Sequence, residues 1–252
     1  MTVASTYTAD DMMTVAAARA LQSGTVCFVG IGLPSTAANL ARRTHASDCV
    51  LIYESGCIGA KPSRLPSSIG DGVLADNADA VIGVPEIFAY WLQAGRIDVG
   101  FLGAAQIDRH ANINTTVIGS YDHPIVRLPG AGGAPEIAAS CNEVIVTLRH
   151  SPRAFVDQLD FITSIGFGDG GDHRQRLRLR GHGPTQVITD LGVLRPDPAT
   201  KELTLTDLHP GVSVDHVRAA TGWDLRVADA VRVTEPPSAA EMVELDRLRA
   251  GE

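Results

Sequence analysis

"TVCFVGIGLPSTAANLARRTHASDCVLIYESG", residues 25–56, decides the fold. Its ends, "TVCFVG" and "CVLIYE", are short continuous apolar runs, the composition of strands covered on both faces. Between them Pro34 suits a first helical turn, where no N–H partner is lost, and "PSTAANLARRTH" predicts a helix. A strand, a helix and a strand in so short a stretch form a crossover unit, which makes the two strands parallel and the connection right-handed. Working outward, Asp10 and Asp11 open a helix that stops at Gly24. Downstream follow the strand "ADAVIG", a helix between Pro85 and Gly95, and the strands "IDVGFLGAAQID", "IVRLPG" and "EVIVTL". The fold class expected is α/β: an open, mostly parallel sheet with helices on both faces. Residues 1–252 read as one domain, with no linker long enough to divide them.

After about residue 150 the patterning changes. "PRAFVDQLDFITSIG" has apolar residues at 155, 159, 162 and 165, which predicts a helix. "RLRLRG" alternates basic and apolar residues, and the Arg174–Arg180 stretch reads as an edge strand with one wet face, the alternative being a phosphate contact or a surface for an acidic partner. "RPDPAT" is a turn between strands in a C-terminal hairpin, and "SVDHVRAATG" and "SAAEMVELDRLRAG" read as helices.

A net charge of −8 argues against a nucleic-acid or anionic membrane surface. No run approaches the roughly 18–20 apolar residues of a membrane span, and the N-terminus lacks a basic and apolar leader, so a cytoplasmic protein is expected. Cys27, Cys49, Cys57 and Cys141 have no C-x-x-C spacing; no metal site is expected, and Cys27, Cys49 and Cys141 read as small buried hydrophobes.

Three features carry chemistry. Gly30-Ile31-Gly32 follows a strand and opens a helix, and Glu54 ends the next strand, a near match to a dinucleotide site in which Ser35 replaces the third glycine. Alternatively Glu54 is a nucleophile or base, since ligands of open α/β sheets bind beyond the carboxyl ends of the strands. Ser55 and Gly56 then turn the chain and leave room for a ligand; the plain alternative is a strand-end acid paired with Lys61 or Arg64. Finally, Gly130, Ala131, Gly132 and Gly133 follow a strand and precede a helix, where backbone N–H groups can line an anion or oxyanion site. Arg127, just before them, is either a clamp for a substrate carboxylate or a structural ion pair.

The segments "VGIGLPSTAANLA", "IYESGCIGA", "GAAQIDRHANINT", "LPGAGGAPEIA" and "DLHPGVSVDHVRAATGW", in this order, resemble the β subunit of class I CoA transferases of the glutaconate type. The resemblance implies that Glu54 is the catalytic carboxylate, that Ser55, Gly56 and Gly130–Gly133 bind substrate, and that coenzyme A enters as part of the thioester rather than as a bound cofactor. It also implies an α subunit of the same fold, in an αβ or α2β2 assembly that shares the active site. Within that family the chain is most similar to the β subunit of steroid ring-opening CoA hydrolases. That implies C–C cleavage of a cyclic β-keto acyl-CoA from steroid rings C and D, as in cholesterol catabolism, with Arg127 on the substrate carboxylate. The alternative is CoA transfer between carboxylic acids through a glutamyl-CoA thioester.

Overall fold

The computed structural model describes residues 7–251. The chain opens with α1 (Ala9–Arg19), then β1 (Val26–Val29), α2 (Leu33–Arg43) and β2 (Val50–Tyr53), the unit expected from residues 25–56. Thr8 and Asp11 close a capping box at the start of α1, satisfying amides that a first turn leaves without partners. The chain continues through β3 (Cys57–Ile58), α3 (Val73–Asp76), β4 (Ala80–Val81) and α4 (Val84–Glu86). Then come β5 (Val99–Gly103), β6 (Gln106–Ile107), β7 (Ile113–Asn114), β8 (Val117–Gly119), β9 (Pro124–Arg127), α5 (Ala134–Ser140) and β10 (Glu143–Thr147). The last third holds α6 (His173–Arg176), β11 (Pro184–Ile188), β12 (Gly192–Pro196), β13 (Leu203–Leu208), α7 (Val214–Ala219), β14 (Arg226–Val233) and α8 (Ala239–Ala250).

Ten strands form one sheet in the order β14-β13-β12-β11-β10-β5-β1-β2-β3-β4. The central run β11-β10-β5-β1-β2 is parallel, and antiparallel pairs flank it on both sides. Strand side chains alternate between two cores, as a period of two requires. Cys27, Val29, Leu51, Tyr53, Phe101 and Ile145 face α1, α2 and α8; Phe28, Ile52, Leu102, Val144 and Val146 face α5 and the C-terminal half. Ion pairs Arg19–Glu241 (2.7 Å) and Arg249–Asp11 (2.6 Å) tie α1 to α8.

Several expectations are corrected. Residues 152–166 form no helix: of the four apolar positions only Phe155 is buried, and the backbone instead bonds to the β6–β7 hairpin, with Ile107 donating to Ala154 (2.7 Å) and Ile113 to Ser164 (3.0 Å). The basic stretch is not an edge strand either. Arg174 lies in α6, buried, and donates to the carbonyls of Gly166 (2.8 Å), Gly181 (2.8 Å) and Ala138 (3.0 Å). The helix expected after Pro85 becomes π-helical over Ile87–Leu92, with Gln93 bonding back to Phe88 (2.9 Å). "IVR" joins β8 in a separate two-stranded ribbon outside the main sheet, in which β9 is exposed. All four cysteines are free and buried, and burial pushes the Cys141 thiol up to about 12. Among the described residues no helix is long and apolar enough to cross a membrane.

Candidate active site

β1 pairs with β2 on one side and β5 on the other, so the strand order reverses at β1. Such a switch point leaves a crevice beyond the carboxyl ends of the strands. Here it is a cleft of about 740 Å³, lined by the ends of β1 (Val29, Gly30), β2 (Glu54), β5 (Gly103, Ala104) and β10 (Thr147, Leu148). Thr115 and residues 129–134 close one side, and Met13, Ile31, Leu33, Pro34 and Ile69 another. Among the described residues of this lining Glu54 is the one charged side chain.

Glu54 is held from behind and is open in front. Tyr53, fully buried, places its hydroxyl 3.0 Å from Ser35 Oγ and 3.3 Å from Asn39 Nδ2, and Asn39 also donates to the Ser35 carbonyl (2.9 Å). Ser35 therefore does more than leave room in the place of a third glycine: it pins α2 to the residue preceding Glu54. Gly56, at φ +104°, packs so closely that a Cβ would lie 1.9 Å from the Ile82 carbonyl oxygen, so only glycine fits that turn. The expected partners of the plain reading are taken: Lys61 pairs with Asp79 (2.5 Å) and Arg64 with Asp71 (2.8 Å). No described residue forms an ion pair or hydrogen bond with the Glu54 carboxylate.

Across the cleft, Gly130 (φ +101°) and Gly132 (φ +49°) bend the chain in a way L side chains resist. The Gly130 amide is spent on the Thr115 carbonyl (2.8 Å). The next three amides, of Ala131, Gly132 and Gly133, meet no acceptor among the described residues. Gly133 adjoins Glu54, since a Cβ built there would sit 3.3 Å from Glu54 Oε1 and 2.8 Å from Phe88 Cζ. A carboxylate without a partner beside unspent N–H donors suits attack on an acyl carbon and stabilisation of the oxyanion that results.

The structure thus brings Glu54 and Gly130–Gly133 together, and it leaves the other expected residues apart. Ser55 and Gly56 do not line the cleft; Ser55 Oγ points at Cys57 Sγ (3.7 Å) and Gly56 shapes the turn. Arg127 is exposed on β9, donates to the Tyr121 carbonyl (2.6 Å) and lies over the Tyr121 ring at 4.6 Å. It is not among the residues lining this cleft, and among the described residues it forms no ion pair. Sequence reasoning missed Thr115, Phe88 and the Ser35–Asn39–Tyr53 group, because each acts through contacts between distant segments. Among the described residues no group of three His, Cys, Asp or Glu is placed to hold a metal.

Residues 10–220 match the Coenzyme A transferase family. The chain is 61% identical over 246 residues to the B-type subunit of 3-oxoadipate CoA-transferase from Pseudomonas knackmussii, covering 98% of this chain and 94% of the relative. The crystal structure of glutaconate coenzyme A-transferase from Acidaminococcus fermentans superposes with a TM-score of 0.89 at 36% identity, over 96% of this chain and 94% of that one. By contrast, the cholesterol ring-cleaving hydrolase IpdB subunit of Mycobacterium tuberculosis is 25% identical over 220 residues, 83% of this chain and 81% of the relative. The ring-opening hydrolase expected from the sequence is therefore overturned: identity to the 3-oxoadipate CoA-transferase subunit is 61%, against 25% to the ring-cleaving hydrolase subunit. With a matching fold, the glutamate at the strand end and the family match over most of its length, the chain belongs to the Coenzyme A transferase family.

Proposed function

We propose that the chain is the B-type subunit of a CoA transferase that moves coenzyme A between carboxylic acids, with 3-oxoadipate or a closely similar 3-oxo dicarboxylate as acceptor. Glu54 is the nucleophile. Its carboxylate attacks the thioester carbonyl of the donor, and the tetrahedral oxyanion takes N–H bonds from Ala131–Gly133. Expulsion of the CoA thiolate leaves an acyl-glutamyl anhydride. The thiolate then attacks the Glu54 acyl carbon, releasing the donor acid and forming a glutamyl-CoA thioester. The acceptor carboxylate repeats the sequence in reverse and regenerates Glu54.

The observation that carries this reading is the Glu54 carboxylate, without an ion pair or hydrogen bond among the described residues, set against the Gly133 backbone. The apolar lining supports it, since a half-dry site favours attack by the carboxylate over attack by water. The described lining of this chain offers no cation for the acceptor's second carboxylate, which supports completion of the cleft by an A-type subunit of the same fold, as αβ or α2β2. The test is to incubate the assembled enzyme with acyl-CoA alone and trap the thioester with borohydride or hydroxylamine. Mass spectrometry should locate the reduced or hydroxamate adduct at Glu54. Glu54→Gln should lose it, and turnover should fall by at least about a hundredfold. An adduct at another residue, or undiminished turnover by Glu54→Gln, would refute the proposal.

A further inference from the structure

The glycine loop is held from one place. Thr115 clasps Gly130 by two reciprocal bonds: the Gly130 amide donates to the Thr115 carbonyl (2.8 Å), and Thr115 Oγ1 donates to the Gly130 carbonyl (2.8 Å). Both polar groups of the Gly130 backbone are thereby fixed, immediately before the three unspent amides. Thr115 is itself secured, for its amide donates to Thr163 Oγ1 (2.9 Å), and Thr163 Oγ1 lies 2.7 Å from Thr116 Oγ1. The adjoining Leu128 amide donates to the Thr116 carbonyl (3.0 Å), so the loop's entry is anchored to the same two threonines. Beyond Gly130 nothing comparable exists among the described residues until the Ala134 amide returns to the Ala131 carbonyl (3.0 Å).

From this geometry we infer that Thr115 is a positioning residue for the transferase reaction: its hydroxyl sets the peptide plane of Gly130 and so aims the amides of Ala131, Gly132 and Gly133 at the oxyanion. The inference rests on the transferase reading above. A glycine at φ +101° has wide rotational freedom, and the direction of the next amides follows its peptide plane. Donors that stabilise an oxyanion act only when preorganised, so a loosened loop loses rate while the thioester still binds. Thr115 also lines the cleft, but its hydroxyl proton is committed to the Gly130 carbonyl rather than directed at a ligand.

The experiment uses the assembled enzyme with Thr115→Val, which keeps shape and the backbone carbonyl but removes the hydroxyl, and Thr115→Ser, which restores it. Formation of the glutamyl-CoA thioester is followed by rapid quench and borohydride trapping, alongside steady-state kcat and KM. Thr115→Val is expected to form the adduct about tenfold more slowly, less than the roughly hundredfold that outright loss of an oxyanion donor costs because the amides are loosened and not removed, with KM for the acyl-CoA within about twofold. Thr115→Ser should return to within about threefold of wild type, and this rescue guards against a misfolded valine variant. A wild-type rate in Thr115→Val overturns the inference, as does a rise in KM with kcat unchanged, which would make the hydroxyl a substrate contact. If wild-type enzyme itself forms no trappable adduct, the transferase reading fails and this inference falls with it; normal wild-type trapping with an insensitive Thr115→Val sinks the positioning role alone.

Discussion

Gly133→Ala gives the sharpest steric test of the site. At φ −83° and ψ −1° the backbone of Gly133 is in a region any residue adopts, so alanine brings no conformational strain. Its whole effect is the new methyl, which would meet Phe88 Cζ at 2.8 Å, Phe88 Cε1 at 3.1 Å and Glu54 Oε1 at 3.3 Å. Relief to an ordinary carbon contact of about 3.5 Å requires a shift of about 0.7 Å. Phe88 cannot simply withdraw, because its ring stands edge-on to Phe28 at 6.4 Å on the π-helical turn. The loop or the carboxylate must therefore give. Overpacking of this kind costs about 1–3 kcal/mol. At a loss of roughly a hundredfold per ångström of misplacement, kcat should fall about 25-fold. The control is Gly132→Ala, where φ is +49° and a Cβ meets nothing within 4 Å; its cost is left-handed strain of about 1 kcal/mol, with no intrusion on Glu54. Steady-state transfer by the assembled enzyme and thermal unfolding would be measured for both. Wild-type kcat in Gly133→Ala, or a larger rate loss in Gly132→Ala, would refute the reasoning.

Two further outcomes concern the frame around the site. Tyr53→Phe strips the hydroxyl shared by Ser35 and Asn39, leaving buried polar groups short of a partner; unfolding in urea should show a loss of about 1–3 kcal/mol, and an unchanged midpoint would mean that the group does not brace β2. His150 is buried, stacked on Phe155 at 3.6 Å, and burial lowers its pKa from 6.5 to about 4. The unfolded chain binds the proton first as pH falls, so the stability from keeping this ring neutral is whole above about pH 6.5 and drains away toward pH 4. Between pH 7 and 4.5 the loss should be roughly 2–3 kcal/mol, and His150→Gln should flatten that slope; an identical slope in the variant would reject the assignment.

The sequence made the βαβ unit plain because its strands are unbroken apolar runs, and it marked Glu54 because a carboxylate at the end of such a run is conspicuous. The glycine loop was equally visible. Which of its amides remain free was not, since that depends on Thr115, fifteen residues away in the chain, consuming Gly130. Arg127 was hard to place for a related reason: adjacency to the loop in sequence says nothing of the exposed strand β9 that carries it, outside the lining of the cleft. The edge strand β14 escaped notice because its pairing with β13 slips between Leu205 and Asp207, where the partner advances from Val227 to Arg232. An irregularity of that size erases the alternation by which an edge strand is recognised. Residues 152–166 have helical spacing and yet no helix, because their amides find better partners in β6 and β7.

The strand order β10-β5-β1-β2 also acts as a ruler. Adjacent strands are held about 4.8 Å apart by their backbone bonds, so Glu54 at the end of β2 stands about 10 Å from the end of β5, two strands away. That interval is written in hydrogen bonds between main chains, and no side-chain substitution in the cleft can alter it. Loops such as Pro129–Gly133 reach across a gap whose width is given in advance, and sequence drift can reshape what they present without changing how far they must reach. Chemistry on this scaffold is therefore free to diverge while the spacing of its reacting parts stays constant.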